Sequence, residues 1–169
     1  MDDLNDPKVR PFSRAIGQQL GLEPKFIDFV FSPHHHDFFR YRVESVGESW
    51  TAIIPPDVSA AYPLWSSNGE QTLVCVNGEG LWFGLGWHDG SDDPEYLSKS
   101  VQGLLARLFI DGVDPSAPLL EYEAAAETCG FRYLSDVVSF LRASAGHDGA
   151  FQEKIWHFIN EIDGRSVGA

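Results

Sequence analysis

The run TLVCVNGEGLWFGLGWHDG, residues 72 to 90, constrains this chain more than any other. Two stretches rich in aliphatic and aromatic residues flank Asn77-Gly78, a dipeptide that supplies positive φ in tight hairpin turns. In the second stretch Leu81, Phe83, Leu85 and Trp87 alternate with Trp82, Gly84, Gly86 and His88. On a strand that alternation sends the two sets to opposite faces. The glycines leave their face open to close approach by a helix or another backbone. A hairpin with one packed face is expected here, and with it an antiparallel sheet.

The flanking segments read mostly as helix. Between Pro11 and Phe31 two short helices are expected on either side of GLEP. Phe12, Ile16 and Leu20 share a face of the first; Phe26, Ile27, Val30 and Phe31 share a face of the second. FFRYRV and WTAII, between Phe38 and Ile54, have strand composition. After the hairpin, Asp92 or Asp93 can cap a helix with Pro94 in its first turn, and Leu97, Val101, Leu104, Leu105, Leu108 and Phe109 form its stripe. A short helix is expected between Leu119 and Cys129, closed by Gly130. Leu134, Val137, Val138 and Leu141 mark the next, and Phe151, Ile155, Phe158, Ile159 and Ile162 the last. Strands grouped mid-chain between helical segments, without regular βαβ alternation, predict an α+β class: a single domain over 1–169 with a central antiparallel sheet and flanking N- and C-terminal helices.

Charge narrows the function classes. Twelve Lys and Arg stand against 25 Asp and Glu, a formal net charge of −13. Such a surface repels nucleic-acid phosphates and anionic membranes, and it favours encounter with a basic protein. No apolar run approaches the roughly 20 residues of a membrane span. MDDLNDPKVRPF does not resemble a secretory leader. Cys75 and Cys129 alone cannot build a disulfide framework, so a reducing cytoplasm is the expected setting.

Tests for chemistry return little. In FSPHHHDFF, His34, His35 and His36 are adjacent, whereas zinc ligands come from spaced positions or separate elements. Pro33 and Asp37 suit a polar turn there. A site from His34, His36, Asp37 and His88 is geometrically possible, and an enzyme with a metal at His34, His36 and His88 is a second class of reading. Asp89, Ser91 and Asp93 imitate a calcium loop, but Pro94 replaces its turn glycine and Ser100 its closing glutamate. Phosphate-loop, dinucleotide, nucleophile-elbow and metalloprotease motifs are missing. No catalytic residue, metal or cofactor is expected.

Tyr62 to Asp111 resembles the SUKH superfamily, which includes bacterial immunity proteins and fungal regulators of cell-wall synthesis. The residues that carry the resemblance are Pro63-Leu64, Asn68-Gly69, the hairpin around Asn77-Gly78, then Trp87, His88 and Asp89. Ser100 follows, opening a helix that continues with Leu104 and Leu105. The best-matching core is 62–111, with a helical extension over 119–163. The resemblance implies a non-enzymatic, intracellular binding domain, most often one that neutralises a toxin by covering it. A regulatory scaffold for a housekeeping protein is the alternative within the family.

For such a role the expected partner is a protein, such as a basic toxin domain, with neither nucleic acid nor membrane involved. Trp82 is on the face opposite the packed one, Trp156 lies off the last helix's stripe, and Trp65 sits in a Ser/Asn-rich loop. These three, with His88 and Asp89 at the strand end, are the candidate contact residues.

Overall fold

The computed structural model describes residues 8–32, 36–46, 57–67, 72–78, 82–86 (backbone only), 95–145 and 149–167. The class is α+β, as expected. The chain divides into two compact units, 1–97 and 98–169. The 62–111 core named above therefore runs across that division. No described helix is long and apolar enough to cross a membrane.

The first unit opens with α1 (Arg14–Gln19) and α2 (Pro24–Val30). Ser13 caps α1 by accepting from the Ile16 N–H at 3.2 Å. Gly17 is the buried residue of α1, because a Cβ there would stand 2.9 Å from the Ile27 side chain. Phe26, Ile27 and Phe29 turn inward on α2, whereas Phe31, expected on that face, is exposed under the Arg14 guanidinium. Arg14 also pairs with Asp28.

FFRYRV is not a strand. Asp37–Phe39 form a 3₁₀ turn whose N-cap is His36, with Nδ1 accepting from the Phe38 N–H at 3.1 Å. Phe39 is fully buried, with its ring tilted against that of Phe29 at 4.8 Å, so aromatic residues that suit a strand build core from a turn instead. WTAII lies outside the described residues.

A four-stranded sheet follows in the order β1 (Ala61–Ser67), β2 (Thr72–Asn77), β3 (Trp82–Gly86) and β4 (Glu95–Ser98). β1 pairs antiparallel with β2, and β2 with β3. The hairpin is real, but its turn is longer than two residues, since Val76 pairs with Trp82. Gly78 does not take positive φ. Asn77 remains in strand β2, opposite Ala61.

Trp65, expected in a Ser/Asn-rich loop, lies instead in β1, a strand that contains Pro63 and ends in serines. The register shifts between Pro63 and Trp65, a bulge that leaves Leu64 extra. On the edge away from β2, Ala61 exchanges bonds with Lys8 and Arg10, and Ser66 with Glu44, all at 2.8–2.9 Å. Pro63 brings no donor. These features blunt an edge that would otherwise template pairing with another chain.

In the second unit, α3 (Val101–Gly112) begins at Ser100 and not at Asp92 or Asp93; Glu95–Ser98 is strand. The Ser100 hydroxyl accepts from the Gly103 N–H at 3.0 Å and donates to Asp163 Oδ1 at 2.5 Å. Asp163 Oδ2 takes the Lys99 N–H at 2.9 Å. A buried carboxylate is thus satisfied at a helix N-terminus, where the macrodipole favours negative charge. The remaining helices are α4 (Leu120–Cys129), α5 (Leu134–Ser144) and α6 (Phe151–Val167). Their inward residues include Leu134, Val137, Val138, Ile155, Phe158, Ile159 and Ile162, as periodicity required.

Candidate partner-binding surface

The candidate surface starts with α4, whose sequence LEYEAAAETC favours helix through its alanines. Gly130 closes it in the left-handed conformation at φ 78°, and the Phe131 N–H reaches back to the Ala126 carbonyl at 2.8 Å. Buried Gln102 holds this corner from α3. Its Nε2 donates to the Gly130 carbonyl at 2.9 Å and its Oε1 accepts from the Arg132 N–H at 3.0 Å. With Ala125, Ala126 and Cys129 inward, Leu120, Glu121, Glu123, Ala124, Glu127 and Thr128 face solvent.

From Arg107 to Arg132 no Lys, Arg or His intervenes, while Asp111, Asp114, Glu121, Glu123 and Glu127 are all exposed. Glu121 and Glu123 lie in the first turn of α4, where negative charge suits the helix. Glu127 lies near the C-terminal end, where it does not, and no basic residue answers it in the last turn. Asp114 bends its loop back on itself. Its Oδ1 accepts from the Ser116 hydroxyl at 2.6 Å and backbone N–H at 2.8 Å, and these bonds hold its carboxyl below the usual range. Helical periodicity weighs apolar stripes and does not report this acidic stretch, whose signal is the cations missing from its sequence; in space Arg142 of α5 reaches it, its Nε donating to the Pro115 carbonyl at 2.9 Å.

Two aromatic features lie on α6. Trp156 is 36 % exposed, with the Arg107 guanidinium 4.9 Å from its ring. On the other flank Phe158 stacks on Phe140 at 4.6 Å. These rings, with Ser135, Asp136 and Ser139, line a shallow open hollow of about 400 Å³. Asp136 already holds Arg165 at 2.8 Å, a bond that raises the Arg165 pKa above its ordinary value.

Among the sequence candidates, Trp156 therefore stands at the surface. Trp65 does not. It is a β1 residue, 3 % exposed, set edge-on between Phe26 at 6.1 Å and Phe29 at 6.2 Å. The polar residues around it suggested a loop, but bulged pairing turns its ring into the core. Trp82 lies in β3 opposite Val76, with its side chain outside the described residues. His88, Asp89, His34 and the calcium-like run from Asp89 to Pro94 also lie outside them.

His36 spends Nδ1 on capping. Among the described residues no group of three or more His, Cys, Asp or Glu could hold a metal ion. Neither cysteine is in a disulfide, both are fully buried, and burial pushes the Cys75 thiol far above its ordinary pKa. Neither thiol should react with a disulfide reagent in the native protein, and both should react in denaturant. A reactive thiol under native conditions would contradict this burial.

The chain was compared with protein-family models, curated proteins and solved structures. None matches.

Proposed function

We propose that this protein is a non-enzymatic binding module of the SUKH type, acting inside the cell as an immunity protein that covers the active region of a basic toxin domain. The observation that carries this reading is that Asp111, Asp114, Glu121, Glu123 and Glu127 are exposed along a stretch of sequence, between Arg107 and Arg132, that holds no Lys, Arg or His, on a chain of net charge −13. Long-range attraction from such a stretch speeds encounter with a basic partner, and aromatic contacts such as Trp156 slow its departure. Ser100 adds support. The resemblance makes a serine at this point open a helix, and Ser100 is the N-cap of α3.

Glu127 separates binding from folding. Glu127→Lys places a cation at the C-terminal end of α4 and is expected to raise stability by about 0.3–1 kcal/mol. The same change should slow association with the partner, an effect that weakens as salt screens the exposed charges. Denaturation curves and stopped-flow association rates read the two separately.

The partner itself is found by affinity capture from the native cells at low and moderate salt. A stoichiometric basic toxin domain that dissociates as salt rises supports the proposal. A housekeeping partner would replace it with a regulatory scaffold, and no partner at either salt would overturn it.

A further inference from the structure

The solvent side of α4 carries a short apolar ridge. Leu120, Ala124 and Thr128 are spaced four apart, so they line up along one side of the helix, and all three are exposed. Leu120 is 75 % exposed. Thr128 donates its hydroxyl to the Ala124 carbonyl at 2.8 Å, so that proton needs no partner from outside. Ala124, the smallest of the three, leaves a dip between its neighbours.

Charge frames the ridge. At about 100° per residue, Glu123 and Glu127 fall along one flank of it and Glu121 along the other. No ion pair among the described residues engages any of these three carboxylates. Arg142, the cation that reaches the preceding loop, gives its Nε to the Pro115 carbonyl. An apolar centre between acidic flanks complements an apolar stripe between basic flanks. A second copy of this chain would set carboxylate against carboxylate, and nucleic acid is repelled in the same way.

We infer that the solvent side of α4 docks a basic amphipathic helix of the toxin domain. An apolar side chain of that helix seats over Ala124 against Leu120, and its lysines or arginines reach Glu121, Glu123 and Glu127. Ridges of one helix fit the gaps of another in this way, with axes about 8–10 Å apart. The inference rests on the binding-module reading above and names the element of the partner that α4 meets.

The test uses two synthetic peptides of equal length, composition and positive charge. One is an amphipathic helix with leucines on one face and lysines on its flanks; the other is scrambled so that its leucines share no face. Each is titrated into the whole protein by calorimetry and by amide chemical-shift mapping. The amphipathic peptide should shift the amides of α4 and bind about tenfold more tightly than the scrambled one. Leu120→Gln, and Ala124→Gln, which fills the dip, should each remove most of that advantage while leaving the urea midpoint within error of wild type. Equal binding of the two peptides, or variants that bind as wild type does, shows that charge alone acts and overturns the helix docking while the binding module stands. Shifts centred away from α4, no binding of either peptide, or a fall in urea midpoint for Leu120→Gln overturns it too. Whether a basic toxin domain is bound at all is decided separately, by the capture experiment above.

Discussion

Trp65→Ala should destabilise the protein by about 3–5 kcal/mol, the usual cost of truncating a large buried aromatic. Trp65 is 3 % exposed and meets Phe26 and Phe29 edge-on, and Phe29 in turn packs at a tilt against fully buried Phe39. Removing the indole leaves a void between β1 and the Phe26 and Phe29 rings of α2, and it forfeits aromatic pairings of about 0.5–1.5 kcal/mol each beyond area. Trp65→Phe keeps a ring in place and should cost clearly less. Urea denaturation followed by circular dichroism measures both. A loss under about 1 kcal/mol for alanine would show that the indole is not core. Folded Trp65→Phe should bind its partner as wild type does, because the residue has no surface to offer.

The second large effect is expected at the clasp between α3 and α6. Asp163→Ala removes a buried carboxylate that takes the Ser100 hydroxyl at 2.5 Å and the Lys99 N–H at 2.9 Å. Hydrogen bonds to charged groups contribute about 1.5–3 kcal/mol each, and both donors would lose their acceptor, so a loss of about 3 kcal/mol is expected.

Gly103→Ala tests the same clasp from the other side. In an ordinary helix it would gain about 0.8–1 kcal/mol. Here a Cβ would stand 2.2 Å from Asp163 Oδ1 and 2.9 Å from Ser98 Cβ. Asp163 must move off its donors, and the sign should reverse to a loss of about 1–3 kcal/mol. The two substitutions share one cause, so their effects should fall well short of additive. Additive losses in the double variant would show that the glycine and the carboxylate act independently.

The candidate surface was legible unevenly, and particular residues show why. Trp156 lay off a clean apolar stripe, and a 3.6-residue period is enough to place such a residue outside. Trp65 gave no comparable signal. Its neighbours Pro63, Ser66 and Ser67 are turn formers, and only the bulged pairing with β2, with the bonds to Lys8, Arg10 and Glu44 on the other edge, makes a strand of them. Tyr41 looked like one residue of an aromatic strand, but its φ is 67°, which composition does not report.

By itself the sequence determined what depends on local period and composition: the hairpin strands β2 and β3, the inward faces of α3, α5 and α6, the close of α4 at Gly130 and the acidic balance. Tertiary structure alone decided which aromatic ring became core, where α3 begins and why Gly103 must be glycine. Those outcomes depend on groups far apart in the chain, Trp65 with Phe29 and Ser100 with Asp163. A buried ring or carboxylate is stabilised by whatever surrounds it after folding, and no window of neighbouring residues contains that information.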